Sequence, residues 1–339
     1  MRGIVKATVN SNRIYEVNTM PDILTLGESM VMMVADQSDS LQFVTNYSRK
    51  IAGAESNVAI GLARIGHSVG WLSALGQDPF GTYIRNTIRG EGVDTSQVSF
   101  SAEYPTGLLV KELNEIGDPL VLYYRRGSAA SKMTPEVLKA DYFADAKLLH
   151  VTGIFPALSS SCQDTLFAAI TIAKEKGLLI SFDPNIRLQL WSKDAARETL
   201  LKIAGMSDLI LPGIAEAELL LGTAEWDKVA DSFHKLGNKY VIMKNGPDGA
   251  YYSTDNQDET CERGYQKGFR VNRVIDTVGA GDGFAVGVLS GLLEGLPLAD
   301  AVVRGNAIGS LAITVRGDVE GYPTRNQLDA YIAHHARNI

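Results

Sequence analysis

The segment DTVGAGDGFAVG, residues Asp276 to Gly287, puts four glycines and two aspartates into twelve positions. A glycine turn that closes a strand and opens a helix leaves backbone N–H groups unpaired at the positive helix end, a natural anion site. Gly279 and Gly281 permit close backbone approach there. Asp282 lies inside the turn, where two roles fit a carboxylate. One is structural, as a helix cap or dipole partner. The other is chemical: beside a bound phosphate it could accept the proton of an attacking alcohol, while the turn amides stabilise charge on the phosphoryl group. Gly283 and Gly287 suit a further task, as small residues that let a helix pack closely. Spacing excludes two other phosphate motifs. From Gly279 the sixth position of a dinucleotide fingerprint is Phe284, and no lysine in the chain is followed by the serine or threonine of a Walker loop.

The elements that must position these residues alternate between short apolar runs and helical patterns, as in a layered α/β sheet. DILTLGE reads as the first strand, and SNVAIGLARIG as a helix capped by Ser56, with Val58, Leu62 and Ile65 on one face and Gly66 at its end. SVGWLSALG and LLHVTG are strands. SCQDTLFAAITIAKEKG is a helix with Leu166, Ile170 and Ala173 at helical spacing. LLISFDPN, DLILPG, KYVIMKNG and FRVNRVID are strand-like, and each closes on polar or glycine-rich residues, where an open α/β sheet binds ligands. Phe284, Val288 and Leu292 continue the glycine turn as a helix, and Thr324 with Gln327 forms a capping box near the C-terminus. Residues 99–128 break the pattern: TGLLVKELNE, a turn at IGDP and LVLYYRRGS read as a hairpin. With part of residues 31–50 it projects from the α/β body as a β lid; an ordinary edge hairpin has the same signature.

Composition bounds the rest. With 339 residues, 45% hydrophobic and 21% charged, the chain is globular. Its net charge of −7 disfavours nucleic acid or an anionic membrane as partner. No apolar run approaches the roughly 20 residues that span a bilayer. Cys162 and Cys261 lie far apart, without a histidine cluster, so they form neither a disulfide framework nor a zinc pattern, which suits a reducing cytoplasm. Residues 1–19 lack the apolar core of a secretory signal and read as an extension before a single domain, residues 20–339.

DTVGAGDGF resembles the C-terminal signature of the ribokinase-type (PfkB) carbohydrate kinases, and AGAESNVAIGLARIG is similar to their N-terminal one. The resemblance covers nearly all of residues 22–335. It implies a ribokinase-like three-layer α/β sandwich with a mainly parallel central sheet and a small projecting β lid, and a reaction that uses ATP and Mg²⁺. It also implies Asp282 as catalytic base, with Gly279, Ala280 and Gly281 as an anion hole. KNGPDG, which holds Lys244, Gly246 and Gly249, resembles the strand-end loop that flanks ATP; Asn185, Arg187 and Asn306 join it as nucleotide residues. Glu216 is implied as the metal residue, although the Asn-x-x-Glu of many members is here Gly213-Ile214-Ala215-Glu216. Glu216 and Glu218 read equally well as solvated residues of a first helical turn.

Within the family, AGAESN, YYRRGSAAS and FDPNIRLQLW are similar to segments of members that phosphorylate 2-keto-3-deoxygluconate. That similarity implies Gly53, Asn57, Tyr123, Arg125 and Arg187 around a sugar acid. Guanidinium binds a carboxylate bidentately, so such a substrate suits two arginines. The alternatives are a surface Arg125 with its stem packed on rings and an Arg187 that faces nucleotide phosphates. In some relatives an aromatic stands in place of Leu109. A K⁺ ion beside Asp276 and Thr277 is a further implication. Two rivals keep the same motifs: a kinase for a neutral sugar such as fructose or for a nucleoside, and a non-catalytic sugar or nucleotide sensor. Leu108, Val110, Leu120 and Leu122 on the hairpin offer an apolar surface for a homo-oligomer or for closure over the chain's own site.

Overall fold

The computed structural model describes residues 20–113, 120–255 and 262–336; the extension 1–19, the IGDP turn and Cys261 lie outside the described residues. Strands run in chain order as β1 (Ile23–Leu26), β2 (Met30–Ala35), β3 (Tyr47–Ala52), β4 (Val69–Gly76), β5 (Val98–Ser101), β6 (Leu108–Lys111) and β7 (Val121–Tyr124). They continue as β8 (Leu148–Thr152), β9 (Leu179–Asp183), β10 (Leu209–Ile210), β11 (Tyr240–Lys244), β12 (Gly249–Thr254) and β13 (Arg263–Lys267). Nine of them form one sheet in the order β13-β12-β11-β10-β9-β8-β1-β4-β5. From β11 to β5 every pairing is parallel; β12 and β13 add antiparallel at one edge.

Alternation along the strands makes two cores. On β1, Ile23 packs into one apolar cluster while Leu24 and Leu26 pack into the other. The first cluster takes Val58 and Leu62 of helix Ala54–Arg64, Ile65 at its C-cap, and Phe284 and Val288 of helix Ala280–Leu293. The second takes Leu166, Ile170 and Ala173 of helix Ser160–Glu175. Helices thus cover both faces, and the fold is a three-layer α/β sandwich, as the alternating pattern requires.

The remaining strands form a separate sheet, β3-β2-β6-β7, with a small apolar face of Met30, Met32, Val34, Ala52 and Leu109. It is mixed rather than purely antiparallel, because β2 and β6 pair in parallel. Residues 99–101 do not belong to it: β5 extends the central sheet beside β4, so the projecting part begins at β6.

Two local expectations change. Ser56 does not cap its helix, which begins at Ala54 with Gly53 as N-cap; the Ser56 hydroxyl instead donates to the Gly53 carbonyl at 2.9 Å. FRVNRVID is not a strand. It crosses from the sheet edge to the glycine turn, its Val274 and Ile275 side chains are half exposed, and the Ile275 N–H bonds to the Ile313 carbonyl of a loop. Gln327 does accept the Thr324 N–H at 2.8 Å, as a capping box demands.

Candidate active site

A cleft of about 670 Å³ opens where the carboxyl ends of the central strands face the small sheet. One wall is the glycine turn. Gly279 has φ 77°, and a Cβ there would meet the Asp318 carbonyl at 2.0 Å, so both conformation and space demand glycine. The Tyr322 hydroxyl fixes the turn by donating to the Gly279 carbonyl at 2.6 Å. Helix Ala280–Leu293 then starts with no side-chain cap, and a Cβ on Gly281 would meet only the Lys244 ammonium, at 3.8 Å. The helix end is therefore open toward the cleft, which is the form an anion cradle takes.

Asp282 does not cap this helix. Its Oδ2 accepts from the Asn57 amide at 2.8 Å, and the same Nδ2 donates to Asp318 Oδ2 at 3.3 Å. Burial raises the Asp282 carboxyl from its usual 3.8 to about 6; the Asn57 bond, Lys244 and Arg187 pull the other way. Asp318 is lifted to about 7, by burial first and then by the Asp282 charge. Glu55, inside AGAESN, reaches about 7 through burial, although Thr152 donates to it at 2.6 Å.

At the far strand ends Lys244 closes on Asp183 at 2.6 Å. Burial works against its charge, but Asp183 and Glu216 outweigh burial and hold the ammonium above the ordinary lysine value. Asn185 adopts φ 37°, and its N–H donates to Asp183 Oδ1 at 3.2 Å. That strained backbone turns the chain into the cleft toward Arg187, which lines it. Gly53, Tyr123 and Arg125 line the opposite side. Arg125 is buried rather than a surface residue: its Nε donates to Glu28 Oε2 at 2.7 Å, and the Ser128 hydroxyl bonds the other Glu28 oxygen.

The cleft thus combines an uncapped helix start, a carboxylate of raised pKa beside it, one lysine near the turn and two arginines in the walls. Those are the parts for moving a phosphoryl group onto an alcohol. A model of the pfkB family carbohydrate kinases matches residues 20–325. The chain belongs to that family. This pfkB kinase is 48% identical over 314 residues to the 2-dehydro-3-deoxygluconokinase of Bacillus subtilis (strain 168), covering 92% of this chain and 95% of that one. Among solved structures it resembles a PfkB protein from Polaromonas sp. JS666, with TM-score 0.83, 39% identity and coverage of 91% of this chain and 99% of that one. A ribokinase II candidate from E. coli, solved with ATP and Mg²⁺, superposes with TM-score 0.86 at 26% identity, covering 93% of this chain and all (100%) of that one. The ribokinase-like fold anticipated from the motifs is therefore the fold of this kinase.

The site residues separate into those the cleft collects and those it does not. Gly53, Asn57, Tyr123, Arg125, Asn185, Arg187, Glu216, Lys244, Gly279, Gly281 and Asp282 line it. Gly246, Gly249, Ala280 and Asn306 are not in its lining. The Asn306 amide donates to the carbonyls of Gln266 and Lys267 at 3.0 and 3.3 Å, tying its helix to the sheet edge. Gly249 is required by packing, since a Cβ there would meet the Gln266 carbonyl at 2.0 Å. Glu216 spends one oxygen on the Ile186 N–H at 2.8 Å and the other on the Gly213 N–H at 2.7 Å, capping its own helix. Among the described residues no acidic, histidine or cysteine cluster could hold a metal by itself. Mg²⁺ fits this donor set when it arrives with phosphates and keeps its waters, through which Glu216 and Asp183 can reach it.

Several cleft residues escaped the motif reading: Glu28, Lys111, Asp183 and Asp318. Asp183 had a usable signal, an acidic residue ending the apolar strand LISFD. Lys111 pairs with Asp276, the residue expected beside K⁺, at 2.8 Å.

Proposed function

We propose that this pfkB kinase transfers the γ-phosphoryl group of ATP in line to a primary hydroxyl of 2-keto-3-deoxygluconate, giving 2-keto-3-deoxy-6-phosphogluconate. The observation that carries the substrate is the near-half identity, over almost the whole of both chains, with a relative of that activity. Site chemistry supports it. Arg125 sits in the cleft wall with a guanidinium fixed by Glu28, and Tyr123 lies beside it, its ring centroid 5.9 Å from the guanidinium carbon. A pre-oriented guanidinium of this kind loses little freedom on gripping a carboxylate.

In the proposed reaction Asp282 takes the hydroxyl proton as general base, and Asn57 holds its carboxylate in place. The backbone of Gly279, Ala280 and Gly281 receives the transferred phosphoryl charge at the open helix end. Lys244 and Arg187 carry positive charge to the same space, with Asn185 setting the approach of Arg187. Mg²⁺, when bound with the nucleotide, neutralises phosphate charge. The small sheet covers the sugar side and keeps out water, a competing acceptor. Its exposed β7 side chains, with Leu122 at 38% and Tyr124 at 61% exposure, give the chain a surface for self-association.

A coupled assay of ATP consumption over 2-keto-3-deoxygluconate, its galactonate epimer and D-fructose tests the reading. We expect kcat/KM for the acid to exceed that for fructose by at least about 10²-fold. A preference for fructose would assign the chain to the neutral-sugar kinases. Thermal stabilisation by ligands with no phosphorylated product would make it a sensor.

A further inference from the structure

Lys111 and Asp276 lie 165 positions apart, yet the Lys111 ammonium donates to both Asp276 oxygens, at 3.0 and 2.8 Å. Both side chains are largely removed from water, 8% and 11% exposed. Lys111 is the last residue of β6 in the small sheet. Asp276 opens the segment that becomes the glycine turn, and its carboxylate also organises backbone: Oδ1 accepts the Val278 N–H at 3.2 Å, and Oδ2 accepts the Gly317 N–H at 3.3 Å. Gly317 leads directly into Asp318, whose carbonyl packs against Gly279. One carboxylate thus ties together the two chain segments that shape the turn, and the one side-chain cation bonded to it among the described residues comes from the opposite wall of the cleft.

A second contact points the same way. Lys50, on β3 of the small sheet, donates to the Arg316 carbonyl at 2.7 Å and pairs with Glu320 at 2.8 Å. Two lysines of one sheet therefore reach the loop and turn that frame Gly279. The Lys50 pair is more open to solvent, 22% and 37% exposed, and is correspondingly weak. The Lys111 pair is shielded, and its loss would leave a buried carboxylate uncompensated.

We propose that Lys111 is a positioning residue of the phosphoryl-transfer site: its ammonium couples the docking of the small sheet to the backbone geometry of Gly279–Asp282. It also supplies, from within the chain, the positive charge beside the shielded Asp276 carboxylate. The functional part of this inference rests on the kinase reading above; the geometric part does not. Lys111 touches neither the phosphoryl group nor the sugar in this scheme, so its effect falls on kcat through the turn. Misplacing a reacting group by about an ångström costs roughly 10²-fold in rate.

The experiment compares wild type, Lys111→Met, Lys111→Arg and Lys111→Ala. The first readout is hydrogen exchange of the turn amides in the ligand-free protein, which needs no assumption about substrate. Faster exchange across residues 277–283 in Lys111→Met, with protection of the central strands unchanged, is expected. Unchanged turn exchange would overturn the proposal, whether or not the chain phosphorylates a sugar acid. The second readout is the coupled assay in K⁺, NH₄⁺ and choline chloride. Wild type should be indifferent to the cation. Lys111→Met should lose about 10²-fold in kcat with little change in either KM. Lys111→Arg should recover most of the loss, and Lys111→Ala should be partly rescued by NH₄⁺ or K⁺. A wild type that requires K⁺, or a Lys111→Ala enzyme with near-normal kcat in choline, defeats the proposal. If wild type turns over no sugar acid at all, the functional reading fails and the exchange result still decides the role of Lys111.

Discussion

At the scale of single residues, Asp282 carries the heaviest burden, and its surroundings make two separate predictions. As general base it must be ionised, so kcat/KM should fall about tenfold per unit as the pH drops below its raised value of about 6. Asp282→Asn should lower kcat by about 10²–10⁴-fold while ATP and sugar-acid affinity stay within a few-fold. Near-normal turnover in that variant would remove Asp282 from the mechanism. The second prediction concerns stability. Because burial raises the folded carboxyl above its ordinary 3.8, ionisation in the folded state costs free energy that the unfolded chain does not pay. The penalty is absent below the unfolded value, grows between it and about 6, and is complete above, roughly 2–3 kcal/mol. Asp282→Asn should therefore melt higher than wild type at pH 8, with the gain shrinking toward pH 4; a lower Tm at pH 8 would show that the carboxylate is better paired than the geometry indicates. Asp282 and its glycines were legible because motif and chemistry sit within one short segment. Glu28 with Arg125, and Lys111 with Asp276, were not, because each pair joins residues 97 or 165 positions apart that no local pattern links.

At the scale of elements, the four glycines of the turn and helix divide by what surrounds them. Gly287 faces backbone: a Cβ would meet the Gly305 nitrogen at 2.4 Å and the Arg304 carbonyl group at 2.5 Å, where helices Ala280–Leu293 and Leu298–Ala312 cross. Gly283 faces side chains, with the Tyr322 ring at 2.9 Å and Ile308 at 3.2 Å. Gly287→Ala must force the helices apart and should cost at least the usual 1–3 kcal/mol of overpacking, about as much as any methyl insertion in a tight core. Its folded fraction should keep a near-normal kcat. Gly283→Ala should act in the opposite proportion. It displaces Tyr322, the residue that holds the Gly279 carbonyl, so a smaller loss of stability should accompany a larger loss of kcat. Equal effects of the two substitutions on Tm and on kcat would contradict this division. The helices themselves were readable from spacing, since Val58, Leu62 and Ile65 do share a buried face. The strand-like FRVNRVID misled because apolar alternation reports burial potential, whereas this stretch finds a loop carbonyl and no strand partner.

At the scale of the whole molecule, a layered body holds the glycine turn and a second, smaller sheet leads into Arg125, the residue proposed to grip the acid. The body follows from alternation of strand and helix. The small sheet was legible as the hairpin within residues 99–128 with part of 31–50, but its parallel β2–β6 pairing was not, because those strands lie far apart in the chain and the neighbouring β5 goes to the body. This arrangement leaves an edge. β7 ends the sheet order and exposes Leu122 and Tyr124, which pair across to Val110 and Leu108 and show their outer face to solvent. An apolar edge strand is a template for pairing with another copy unless charge or cover blocks it. At micromolar concentration the wild type should therefore sediment as a dimer or larger, and Leu122→Asp with Tyr124→Asp should shift it to monomer. Because β7 also carries Tyr123 and leads into Arg125, the monomeric variant should show a raised KM for the sugar acid while its KM for ATP stays unchanged. A wild type that sediments as a monomer would leave β7 as a lid edge alone, its apolar side chains serving only the cleft of its own chain.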